Sequence, residues 1–223
     1  MKRKFHVRCE AGENLEITSK SYLSLSDLAD LGTVMGNVYH TKEEMIDCVN
    51  AFYEGMVQRS EEMKRHPNYK TGENYAYLGL PPCFLIFDEY VAFFEMLGTK
   101  ESVGLLSQLK KIVMLGRQAG YFLIVACQRP DAKYFSDGIR DNFNFRVGLG
   151  RISELGYGML FGSDVKKQFF QKRIKGRGYC DVGTSVISEF YTPLVPKGHD
   201  FLQTIGRLAQ ERQVMPEQQG KEN

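Results

Sequence analysis

The spacing of apolar positions changes several times along the chain, and each change marks an element. Residues 41–65 carry Met45, Val49, Phe52, Tyr53 and Met56 at helical spacing, behind a Thr41/Glu44 capping box. This predicts a helix. Residues 66–80, from His66-Pro67-Asn68 to Gly79, are polar and turn-rich and read as an exposed connection. Residues 83–88 and 121–127 are instead apolar without alternation, the pattern of strands covered on both faces. Between them Leu105, Leu109, Ile112 and Val113 mark a helix over 101–116, with Gly116 and Gly120 punctuating its end.

Downstream, the pattern gives a helix-like stretch at 133–141, a strand at 145–150 and helices near 153–160 and 164–173. Strands at 177–182 and 186–192 close the body, and a helix runs from Phe201 to Arg212. Residues 5–25 alternate and contain Gly12-Glu13-Asn14, which predicts a short hairpin. The expected organisation is an N-terminal appendage (1–25), one body (26–212) and a disordered tail (213–223). Strand, helix, strand, with both strands continuously apolar, predicts an α/β domain: a parallel sheet with helices on both faces.

Composition changes this picture little. A chain of 223 residues with 43% hydrophobic and 25% charged residues buries a real core. A net charge of +2 excludes bulk polycation behaviour, so a basic binding surface has to be local. The five cysteines are scattered without a CxxC pair, and two lie inside apolar runs, as reduced core thiols of a cytoplasmic protein do. Met1-Lys2-Arg3-Lys4 is basic, but no apolar stretch follows, so it is not a secretory signal. No run approaches the roughly 18 residues of a membrane span. The four histidines have no metal-ligand spacing.

The chemistry concentrates at the ends of the two apolar strands. The first ends in adjacent carboxylates, Asp88 and Glu89, where open α/β sheets place their ligands. One carboxylate there can hold Mg²⁺ while the next orients a water for attack on a phosphate. Equally, Asp88 can cap the following helix, with Glu89 favoured by its dipole. The second strand runs into Cys127-Gln128-Arg129-Pro130, which puts Gln128 at the same edge if the strands are neighbours. A glutamine there can bond both a water and a γ-phosphate oxygen; it can also simply begin a loop. Arg117, at the end of the intervening helix, is either a cation on the helix C-terminus or an arginine finger reaching a neighbouring subunit. Lys166, Lys167, Lys172, Arg173, Lys175 and Arg177, interleaved with Phe169 and Phe170, form either a phosphate-contacting patch or the solvated face of an amphipathic helix.

These runs, together with Ile139-Arg140-Asp141-Asn142-Phe143-Asn144-Phe145-Arg146-Val147 and Gly176-Arg177-Gly178-Tyr179, resemble the FtsK/SpoIIIE DNA-translocase family. They are similar to the branch of coupling ATPases carried by Gram-positive conjugative elements, over roughly residues 27–205. The resemblance implies a RecA-like P-loop NTPase core, a three-layer α/β fold with a mostly parallel sheet. It implies ATP and Mg²⁺ as cofactors and double-stranded DNA as a partner. It also implies a homo-oligomeric ring, or one formed with a full-length homologue, and contacts with relaxosome or transfer proteins. By the same resemblance Asp88 is the Walker B acid on Mg²⁺, Glu89 the general base, Gln128 the sensor and Arg117 the finger acting in trans. Gly176, Arg177 and Gly178 then contribute to cofactor binding near the subunit boundary.

One departure is large. No G-x-x-x-x-G-K-[ST] occurs in these 223 residues, and the family's second core strand is not recognisable ahead of Ser26. The expectation is an N-terminally truncated motor domain, the C-terminal part of a coupling ATPase, inactive alone. Two alternatives are a non-hydrolytic interaction module and an ATPase whose P-loop is supplied by a separate chain.

Overall fold

The structure, a computed structural model, describes residues 5–8, 38–128, 133–135, 137–163, 165, 168–169, 174–184 and 186–214. Two sheets organise it. The first holds four strands, β1 (Phe5–Arg8), β2 (Val38–Tyr39), β3 (Cys83–Asp88) and β4 (Tyr121–Val125), all parallel in the order β2-β1-β3-β4. The long helix α1 (Lys42–Arg65) follows β2. Thr41 caps it as expected: its hydroxyl accepts from the Glu44 amide at 3.4 Å, and the Glu44 carboxylate accepts from the Thr41 amide at 3.2 Å. The connection after α1 contains one 3₁₀ turn, Tyr75–Leu78.

Between β3 and β4 lie α2 (Tyr90–Glu95) and α3 (Thr99–Ala119). The helix predicted to stop near Gly116 continues to Ala119, and Gly120 caps it in the left-handed region. Gly116 is therefore a packing glycine. A Cβ there would lie 2.2 Å from the Tyr121 carbonyl oxygen, where α3 turns back into β4.

The register explains how this half is filled. Leu85 pairs with Leu123 and Phe87 with Val125, and these side chains point at α1, α2 and α3. Met45, Val49, Phe52, Leu85, Phe87, Phe93 and Leu109 are essentially inaccessible. Phe84 and Ile86 pair with Phe122 and Ile124 and point the other way. There Phe84 is 40% exposed and Ile124 47%. The sheet is parallel as expected, but among the described residues the helices cover one face of it. Phe84 stacks on Phe122, and Tyr75 meets Phe122 edge-on, which shields that second face only in part.

Of the N-terminal segment the structure describes one strand. Phe5–Arg8 has parallel neighbours on both edges, β2 and β3, which leaves it no edge for a hairpin mate. The other residues of that predicted hairpin lie outside the described residues.

The second sheet is antiparallel, in the order β5 (Arg146–Leu149), β6 (Arg177–Asp181), β7 (Ile187–Tyr191). The strands were expected; their separation into an antiparallel sheet was not. Between β4 and β5 lies the single turn α4 (Asp137–Arg140), and after β5 comes α5 (Glu154–Phe161), capped by Ser153. Tyr157, Phe161, Phe169 and Tyr179 form a small aromatic core here, with the Tyr157 and Phe169 rings 3.9 Å apart and nearly parallel. Arg146 donates to Asp181 at 2.6 Å, and the Asp181 carboxylate also accepts from the Gly183 amide. The helix α6 (Phe201–Val214) ends the described chain. The helix expected at 164–173 falls mostly outside the described residues, as do Lys166, Lys167, Phe170, Lys172 and Arg173, and the tail beyond 214. No helix among the described residues is long and apolar enough to cross a membrane.

Candidate functional site at the carboxyl edge of the parallel sheet

A parallel pair carries its two chains to the same edge, and β3 and β4 leave the sheet side by side. The Ala126 amide donates to the Phe87 carbonyl at 2.8 Å, and the Tyr90 amide donates to the Ala126 carbonyl at 3.0 Å. These two bonds extend the ladder beyond Val125, so Asp88 and Glu89 stand beside Ala126, and Cys127 and Gln128 follow at the same edge. The acid pair and the glutamine, 39 positions apart in sequence, thus share one edge.

Asp88 is the last residue of β3 and half-buried. Helix α2 is capped from Glu89, not Asp88, and without a side-chain bond. Glu89 is the one non-glycine with positive φ among the described residues, at φ 53 and ψ 51. A glutamate in that region is strained, a condition that collects at functional turns. No hydrogen bond or ion pair among the described residues engages either carboxylate. Hard carboxylate donors with one side open suit Mg²⁺, which keeps waters and takes one or two protein carboxylates together with phosphate oxygens. No cluster of three or more candidate metal ligands forms among the described residues.

Cys127 is the member that sequence reasoning missed. Burial, and next the negative charge of Glu89, push its thiol up to about 11. It stays protonated at neutral pH, a small neutral group against the carboxylate. Its place directly before Gln128 was the only signal in the sequence. Gln128 itself is exposed.

The remaining predicted residues lie elsewhere. Arg117 sits in the last turn of α3, three residues before the Gly120 cap and hence at the start of β4. With five strand residues at about 3.3 Å each, that is the opposite edge of the sheet from Gln128. Arg117 is exposed and cannot serve the carboxylates of its own chain. Gly176, Arg177 and Gly178 belong to the antiparallel sheet. The Gly176 carbonyl accepts from the Thr192 amide at 2.8 Å and its hydroxyl at 3.2 Å. A Cβ on Gly178 would lie 2.7 Å from the Gly148 carbonyl oxygen. Arg177 is 5% exposed, an interior residue of this chain. Strand pairing and packing hold this run within the antiparallel sheet.

No family model matches the chain. It is 56% identical over 181 residues to the FtsK domain-containing protein YdcQ of Bacillus subtilis (strain 168), across 81% of this chain and 38% of the relative. Among solved structures it is similar to the monomer form of the pCW3 conjugation coupling protein TcpA with ATPγS. That likeness has a TM-score of 0.61 and 15% identity, over 92% of this chain and 56% of TcpA. It is similar to the cytoplasmic domain of the Thermomonospora curvata type VII secretion ATPase EccC, with a TM-score of 0.58 and 17% identity, over 92% of this chain and 24% of the other. For EssC (ATPases 2 and 3) from Geobacillus thermodenitrificans the TM-score is 0.57 and the identity 14%, over 94% and 37%. The structural likenesses are likenesses of fold, and the chain spans less than two fifths of its curated relative.

Proposed function

The chain is FtsK/SpoIIIE-type in sequence and fold, and from that premise we propose that it supplies the hydrolytic edge of an ATP site in a DNA translocase of conjugative transfer. One observation carries the reading: the strand ends that bear Asp88-Glu89 and Gln128 leave the carboxyl edge of a parallel sheet side by side.

The roles follow from position. Asp88, held by strand pairing, is the ligand for Mg²⁺. Glu89, held out of register by its left-handed turn, accepts the proton of an attacking water. Gln128 orients that water from the adjacent strand end. Bound Mg²⁺ and ATP supply charge neutralisation and the phosphoryl group. The phosphate cradle lies outside these 223 residues, which hold no G-x-x-x-x-G-K-[ST]. In this reading Arg117, exposed at the far edge, acts on a neighbouring copy's nucleotide, and the complete site forms between subunits of a ring. TcpA's name as a conjugation coupling protein and YdcQ's FtsK domain support DNA as the transported polymer.

Isothermal titration of the chain with ATP and Mg²⁺ tests this. Weak, Mg²⁺-dependent binding that Asp88→Asn abolishes is expected, with no measurable turnover by the chain alone. A turnover of about 1–100 s⁻¹ from the chain alone, or nucleotide binding indifferent to Asp88, overturns the reading. Fluorescence anisotropy with duplex DNA at low salt tests the partner; no binding removes DNA contact from this stretch. The half-open apolar face of the sheet favours a second reading, a non-hydrolytic interaction module. Mass by size exclusion with and without nucleotide separates the two, since a ring of motor subunits responds to ATP.

A further inference from the structure

Tyr90 follows Glu89 and is 1% exposed, too buried to touch a nucleotide. Its contacts bracket Gln128. On one side its amide donates to the Ala126 carbonyl at 3.0 Å, two residues before Gln128. On the other its hydroxyl donates to the Tyr134 carbonyl at 3.3 Å, six residues after Gln128. The rings reinforce the second contact. Phe135 packs on Tyr90 with centroids 4.6 Å apart, and Tyr134 stacks on Phe94 of the same short helix at 5.3 Å. Lys133 donates to the Tyr134 hydroxyl at 2.8 Å. Beneath, Tyr90 rests edge-on against Phe87 of β3 and packs on Phe94. One residue therefore joins the strained Glu89 turn, the end of β4 and the 133–135 segment.

We infer that Tyr90 is a positioning residue that sets Gln128 against Glu89 by clamping the chain on both sides of the glutamine. The hydroxyl is the informative part. A buried tyrosine needs a partner for its O–H, and a phenylalanine would fill the same core space without holding Tyr134. The consequence for hydrolysis rests on the nucleotide reading above; the clamp itself does not.

The test is backbone ¹⁵N relaxation on the whole chain without nucleotide. In the wild type, the Gln128 and Tyr134 amides should relax as rigid backbone, with order parameters of about 0.85. In Tyr90→Phe both should fall toward about 0.6, with Leu85 and Leu123 unchanged. Phe135→Leu, which removes ring contact and leaves the hydroxyl, should loosen the same amides and stands in if Tyr90→Phe does not fold. Unchanged order parameters at Gln128 in the variants overturn the inference. So does uniform loosening of β3 and β4, which marks Tyr90 as core filling only. Because no nucleotide is present, absent ATP binding in the titration sinks the nucleotide reading and leaves this one standing.

Discussion

Glu89 stands at φ 53 and ψ 51, where a side chain with a Cβ is strained and glycine is not. Glu89→Gly should therefore stabilise the chain by about 1 kcal/mol, seen as a raised urea midpoint, while removing the candidate base. A loss of stability would show that the carboxylate itself holds the turn. The buried thiols and phenols make a second residue-scale prediction. Burial raises Cys48 to about 12 and Tyr121 to about 12, and burial with Glu89 raises Cys127 to about 11. The fold favours their neutral forms. That contribution is complete below the unfolded thiol value of about 8.5 and is lost as pH rises through the folded values. Urea midpoints should hold to about pH 8 and then decline, less steeply in Cys48→Ala. A midpoint flat to pH 11 would contradict burial of these groups.

Among the elements, those with local causes form where the pattern puts them. Helix α1 begins at its capping box, and β3 occupies the predicted 83–88. The end of α3 does not, because Gly116 signals a stop in sequence yet serves a helix–strand contact in space. Strand partners were likewise not legible: β5, β6 and β7 read as strands, but their antiparallel pairing is decided by contacts between distant segments. The Arg146–Asp181 pair links β5 to the central strand β6, with the carboxylate side chain 5% exposed. Asp181→Ala leaves that guanidinium without its carboxylate and should cost about 3–5 kcal/mol in urea denaturation. Replacing Arg146 and Asp181 together by Met and Leu should recover most of that loss.

At the scale of the molecule, the two faces of one sheet have different fates. Phe87→Ala, on the face beneath α1 and α3, should cost about 3–5 kcal/mol. Ile124→Lys, on the other face, should change stability by no more than about 0.5 kcal/mol. Urea denaturation of both variants checks this. A large loss for Ile124→Lys would mean that this face is covered in solution. The continuous apolar runs of β3 and β4 are those of strands made to be covered twice, and the described chain covers them once.

By itself the sequence determined what local forces govern: the helix caps, the strand positions and the place of the acid pair at a strand end. These depend on neighbours within one turn or one strand. Only the tertiary structure decided which strand ends meet. It brought the chain leading into Gln128 to the edge that bears the acid pair, put Arg117 at the opposite edge and buried Arg177. It also set Cys127 and Tyr90 about the site, because parallel pairing and side-chain packing join residues that no local pattern connects.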